Sequence, residues 1–168
     1  MKKTNEMTAY FFDTSAVVKH YVTEPGSRWV WDLVDSGASV FLIQITIAEV
    51  SAALGILQHT RQISRRQRDE YWERFEKDCT RRYRLLPTDY ETIRAAALLC
   101  ARHPLKGYDA VQVAAALRLQ QTLGPDRALV FVAGDETVIT AAQSEGLKVD
   151  NPFWHVDESE TDRSLHDR

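Results

Sequence analysis

The chain has 168 residues, a formal charge of −3 and a pI near 6.0, enough length for one domain with a proper core and no overall charge that singles out a polyanionic partner. No stretch approaches the ~18 uninterrupted apolar residues that span a bilayer. The basic start, Met-Lys-Lys-Thr-Asn-Glu-Met, is followed by no long apolar run or small-residue cleavage site, so the expectation is a cytoplasmic protein with no membrane association.

In chain order, residues 8–12 read as a short buried strand, and Thr14-Ser15 starts a helix expected to run through Tyr21. Pro25-Gly26 opens a second helix over Ser27 to Val34. Ala38 to Leu42 is strand-like, and Thr46 is expected to cap a long helix reaching Gln58. Residues 64–82 form a charged amphipathic helix, Tyr83 to Leu86 a strand, and Thr88-Asp89 the start of a helix ending near Arg102. Asp109 to Gln121 is an alanine-rich helix stopped by Gly124-Pro125. Ala128 to Val132 is the clearest strand, followed by helix 136–144 and a last strand over Leu147 to Val149.

Short apolar strands alternating with helices indicate an α/β sandwich of three layers around a mainly parallel sheet of four to five strands. Residues 1–156 are expected to form the single domain, and the polar stretch 157–168 a disordered charged tail. The two cysteines, Cys79 and Cys100, have no zinc or redox spacing and read as core thiols. The five histidines are scattered and read as surface or helix-end residues.

Four carboxylates stand out: Asp13, Glu49, Asp109 and Asp135, each among or just after apolar residues. Asp13 and Asp135 follow strands, where open parallel sheets bind ligands beyond the carboxyl edge. If the first and fourth strands are neighbours, these two acids face each other across a crevice. Helix capping accounts for each of the three aspartates taken singly. Glu49 is different, because its stripe (Ile45, Ala52, Ile56) and the opposite stripe (Ile47, Val50, Leu54, Leu57) are both apolar. A helix greasy on both sides is expected to be buried, and a carboxylate on it needs a partner, a proton or a metal.

The segments Phe12-Asp13-Thr14-Ser15-Ala16-Val17-Val18-Lys19, Ile47-Ala48-Glu49-Val50, Gly107-Tyr108-Asp109-Ala110-Val111-Gln112-Val113-Ala114 and Gly134-Asp135-Glu136 resemble the PIN-domain family, and most of all the VapC-type toxins of bacterial toxin–antitoxin pairs. The resemblance runs from about Ala9 to Pro152. It implies a PIN-like fold whose acids Asp13, Glu49, Asp109 and Asp135 bind Mg²⁺ or Mn²⁺ and cleave RNA, with Ser15 as a hydroxyl near the metal. It also implies a small antitoxin partner lying over the acid pocket, and a homodimer. One departure is Ala133, where the family often carries Ser or Thr.

Clustered acids repel RNA, so basic residues are needed nearby. Residues 61–84 hold nine lysines and arginines against five acids, with Arg65, Arg68 and Arg74 as candidate RNA contacts and Tyr71, Trp72, Phe75 and Tyr83 as candidate stacking residues. The bland reading of that helix is a core face of aromatics and a solvated face of arginines. Lys19, one turn beyond Asp13, is a candidate for binding a phosphate or for neutralising the acids. Trp29, Trp31 and Trp72 lie on apolar helix faces suited to a protein contact or to the core. Phosphatases of the haloacid-dehalogenase type need a second aspartate where Ser15 stands, and phospho-receivers need a lysine where Asp150-Asn151-Pro152 stands. The remaining alternative is a PIN-like RNA- or protein-binding module that does not cut.

Overall fold

In a computed structural model of the chain, residues 8–156 are described; the tail expected over 157–168 lies outside them. Five strands form one all-parallel sheet: β1 (Ala9–Phe12), β2 (Ser39–Ile43), β3 (Tyr83–Leu86), β4 (Leu129–Val132) and β5 (Lys148–Asp150), in the order β3-β2-β1-β4-β5. β1 is the centre, with Ala9 opposite both Ser39 of β2 and Leu129 of β4.

Successive residues of a strand point to opposite faces, and β1 shows the consequence. Ala9 and Phe11 belong to a core shared with α5 (Tyr90–Arg102), α6 (Gly107–Leu123) and α7 (Glu136–Ser144). Phe12 belongs to a second core on the other face with α1 (Thr14–Val18), α2 (Ser27–Asp35), α3 (Ile45–His59) and α4 (Arg65–Arg81). Phe11 stacks on Phe131 with centroids 5.8 Å apart, both fully buried, each ring contributing roughly 1.5–3 kcal/mol of burial. The architecture is thus the expected three-layer sandwich.

Strand order reverses beside β1. The chain steps outward through β2 and β3, crosses back, and adds β4 and β5 on the other flank. The carboxyl ends of β1 and β4 therefore adjoin, with Asp13 N–H donating to Val132 O at 3.0 Å. Such a switch point opens a crevice in parallel sheets.

Several local expectations are corrected. α1 ends at Val18, since Lys19 to Tyr21 turn through i to i+3 bonds such as His20 N to Val17 O. Thr46 is a buried residue inside the first turn of α3, and the N-cap is Gln44. α6 begins at Gly107, so Asp109 lies within its first turn and does not cap it. α3 is buried on one face only: Val50 and Leu54 are inside, while Ile56 is 62% exposed. Cys100 is exposed on α5, and His20 is buried beneath the surface at 6% exposure. A 3₁₀ turn, Pro152–His155, follows β5 unforeseen. It packs on the start of α2, where Gly26 has φ 86° and a Cβ would meet Pro152 O at 2.7 Å.

Candidate active site at the strand switch

Four different elements deliver the four carboxylates to one place. Asp13 follows β1, Glu49 projects from the second turn of α3, Asp109 from the first turn of α6, and Asp135 follows β4; all four line a single cavity of about 540 Å³. Among the described residues none of them forms a salt bridge.

Asp13 is the deepest, at 5% exposure. Its Oδ1 accepts from Ala16 N at 2.9 Å, capping α1, and from Ser15 Oγ at 2.7 Å. Burial, with the nearby charges of Asp109 and Glu49, pushes its pKa from 3.8 to about 7 against the pull of those two hydrogen bonds. Ser15 Oγ also accepts from Gly134 N at 2.8 Å, tying the β1 loop to the β4 loop. Ala133, where the family often has a hydroxyl, is fully buried in the core against α5–α7; the Ser15 to Gly134 bond links the two loops beside it.

Glu49 is held by a clamp that sequence reading passed over. Its Oε2 accepts from Thr14 Oγ1 at 2.8 Å and from Gln112 Nε2 at 2.6 Å. Gln112 is 1% exposed, and its amide also reaches Thr46 Oγ1 at 3.1 Å. Facing the carboxylate with its NH₂ leaves Gln112 Oε1 buried without a partner, at a cost of about 1–3 kcal/mol. A lone polar side chain in the apolar run Ala110 to Ala116, three residues after Asp109, is the signal that marks it.

Asp109 is half-buried, and its pKa is raised first by burial and then by Asp135, partly offset by Lys106. Asp135 caps α7, accepting from Thr137 N at 2.7 Å and Val138 N at 3.3 Å. Capping and cavity-lining are therefore compatible roles for Asp13 and Asp135. Lys19 lines the cavity, but its ammonium pairs with Glu24 at 3.0 Å and sits 4.0 Å from the Phe153 ring centre, and it forms no salt bridge with any of the four acids among the described residues.

The basic helix α4 lies elsewhere. Arg65, Arg68 and Arg74 are absent from the lining of the acid cavity. Arg68 pairs with Asp69, and Arg74 rims a separate hollow of about 770 Å³ between α2 and α4, whose Arg82 is bound to Asp35 and Asp78. Phe75 and Tyr83 are buried, and Tyr71 and Trp72 are partly buried against the same core. Trp31 donates to His20 O and Trp29 stacks on His155 at 4.4 Å. The large apolar side chains left exposed are others, including Ile56, Tyr90, Leu98 and Tyr108.

A set of carboxylate oxygens is hard donor chemistry suited to Mg²⁺ or Mn²⁺. Like charges gathered in one cavity, and a buried aspartate pushed to about 7, are what a divalent ion would relieve. Among the described residues no three His, Cys, Asp or Glu side chains are arranged to hold an ion.

A parallel α/β sandwich with unpaired carboxylates gathered at its strand switch is the class of protein defined by this fold and cavity. Residues 10–147 match the PIN domain model, and the chain belongs to the PIN-domain family. It is 30% identical over 146 residues to ribonuclease VapC45 of Mycobacterium tuberculosis (strain CDC 1551 / Oshkosh), covering 85% of this chain and 95% of that protein. Its fold is similar to that of FitAcB from Neisseria gonorrhoeae, with TM-score 0.63, 22% identity, and 88% of this chain and 99% of the other covered. DNA-bound VapBC from Salmonella typhimurium is similar with TM-score 0.58 and 15% identity over 87% of this chain and 99% of the other. No helix among the described residues is long and apolar enough to cross a membrane.

Proposed function

We propose that this protein is a Mg²⁺- or Mn²⁺-dependent endoribonuclease, the toxin of a toxin–antitoxin pair acting in the cytoplasm. The observation that carries the reading is the convergence of Asp13, Glu49, Asp109 and Asp135 from four elements into one cavity. Membership of the PIN-domain family and the likeness to a VapC ribonuclease support it. We further propose a small antitoxin as partner, lying over the acid cavity, in keeping with the similarity to the chain in the VapBC structure. Two copies of the chain are expected to associate.

Asp13, Glu49, Asp109 and Asp135 would hold a divalent ion here, and such an ion would supply an activated water and positive charge against the phosphodiester. The chain's own residues set up the geometry. Ser15 and the Ala16 N–H fix Asp13, and Thr14 with Gln112 fixes Glu49. Asp109, whose carboxylate has no hydrogen bond among the described residues, is free to orient toward an ion or its waters. The two loops that carry the strand-end acids are tied together by the hydrogen bond from Gly134 N to Ser15 Oγ.

Purified protein incubated with labelled single-stranded RNA and Mn²⁺ should yield discrete fragments that disappear with EDTA. Asp109→Asn should abolish them while leaving the circular dichroism spectrum unchanged. Retained cleavage in that variant removes Asp109 from the site, and RNA binding with no cleavage in Mn²⁺ establishes the non-cutting module instead.

A further inference from the structure

The charged side chains of the acid cavity are five carboxylates, Asp13, Glu24, Glu49, Asp109 and Asp135, against two ammonium groups, Lys19 and Lys106. Lys19 is closed off by Glu24, and the arginines of α4 face elsewhere. Nucleic-acid affinity ordinarily comes from basic groups on phosphates, so most of the hold on a strand here must come from another source.

Two large aromatics line the same cavity and remain open: Tyr108 is 61% exposed and Phe153 is 47% exposed. Most aromatic rings of the domain are spent in its cores, whereas these two keep much of their surface open beside the four carboxylates. Tyr108 precedes Asp109 in the first turn of α6. Phe153 is braced from behind: Lys19 Nζ occupies one ring face at 4.0 Å, and a Cβ at Gly134, next to Asp135, would come within 3.2 Å of the ring edge. Tyr108 thus adjoins Asp109 in the chain, and Phe153 lies against Gly134, the residue before Asp135.

We infer that Tyr108 and Phe153 are stacking platforms for the bases of single-stranded RNA that flank the cleaved phosphodiester. The inference rests on the ribonuclease reading and names how that site holds its substrate. Every base offers a π-face, so stacking tolerates many sequences, and it does not rely on positive charge. A strand gripped through bases on either ring would lie with its backbone over the acids, where net negative lining alone would repel it.

The test uses the whole chain and a short single-stranded RNA whose cleaved bond is first mapped with wild-type protein in Mn²⁺. Tyr108→Ala and Phe153→Ala are each expected to raise KM about 5- to 150-fold, the range of one lost base stack, with kcat largely retained. Tyr108→Phe and Phe153→Tyr, which keep the rings, should restore KM. The same RNA made abasic beside the cleaved bond should raise the wild-type KM and add nothing further to the alanine variants. If Phe153→Ala fails to fold, Tyr108→Ala carries the decision alone. Unchanged KM in Tyr108→Ala, equal loss in Tyr108→Phe, or an undiminished alanine effect on abasic RNA overturns the inference and leaves the ribonuclease intact. No cleavage by the wild-type protein removes both.

Discussion

Asp13→Asn should make the metal-free protein more stable, and the gain should depend on pH. Asparagine is as good an N-cap as aspartate and retains the oxygen that accepts from Ala16 N and Ser15 Oγ, so the cap survives and only the buried charge is lost. For a carboxyl raised from 3.8 to about 7, the folded state holds its proton more tightly than the unfolded chain. Ionisation therefore destabilises the fold as pH climbs through that window, and the penalty is complete above the folded pKa. At 1.36 kcal/mol per factor of ten this is about 4 kcal/mol at pH 8, shrinking to about 2 kcal/mol at pH 5 and under about 1 kcal/mol at pH 4. For a domain of this size it corresponds to a rise in Tm on the order of 10 °C at pH 8. Thermal unfolding of both proteins in EDTA across pH 4 to 8 measures it directly. Mn²⁺ should then close most of the gap by stabilising the wild type. Equal midpoints at pH 8, or a difference that ignores pH, would refute the account of Asp13 as a buried, repelled carboxylate.

Gln112→Met keeps the side-chain volume but removes the donor to Glu49 and the orphaned Oε1 together. Activity and Mn²⁺ affinity, read by isothermal titration, should fall about 10- to 100-fold while Tm changes little; unaltered affinity would show that Gln112 does not support Glu49. Ser15→Ala breaks the bonds to Asp13 and Gly134 and should cost about 1–3 kcal/mol in urea unfolding, with a loss of cleavage larger than that of a surface substitution such as Arg66→Ala. A Ser15→Ala protein as active and stable as wild type would mean that the two loops are tied by other contacts.

Much of the fold was written locally. Strands near 9–12, 39–43, 83–86 and 129–132 follow from short apolar runs ended by turn residues, and Asp89 and Asp135 announced the starts of α5 and α7 through their capping side chains. The four carboxylates were legible because an acid in an apolar context is conspicuous without any knowledge of its neighbours. Thr46 misled because threonine serves as a cap or as a buried hydrogen-bonding residue, and periodicity does not separate the two. The apolar stripe Ile45, Ala52, Ile56 misled for a related reason: a local period shows that a face is apolar, not whether another element arrives to cover it.

Sequence by itself determined the alternation of strand and helix, the sheet's parallel sense and the identity of the acids, since these depend on neighbours within a few residues. Tertiary structure alone decided that β1 and β4 adjoin, that Gln112 reaches Glu49 across 63 positions, and that Ser15 reaches Gly134 across 119. It also decided that the aromatics of α4 turn inward while Tyr108 and Phe153 stay at the cavity. Those outcomes are set by which surfaces meet once the layers close. The information for them is spread over the whole chain and leaves no local period to read.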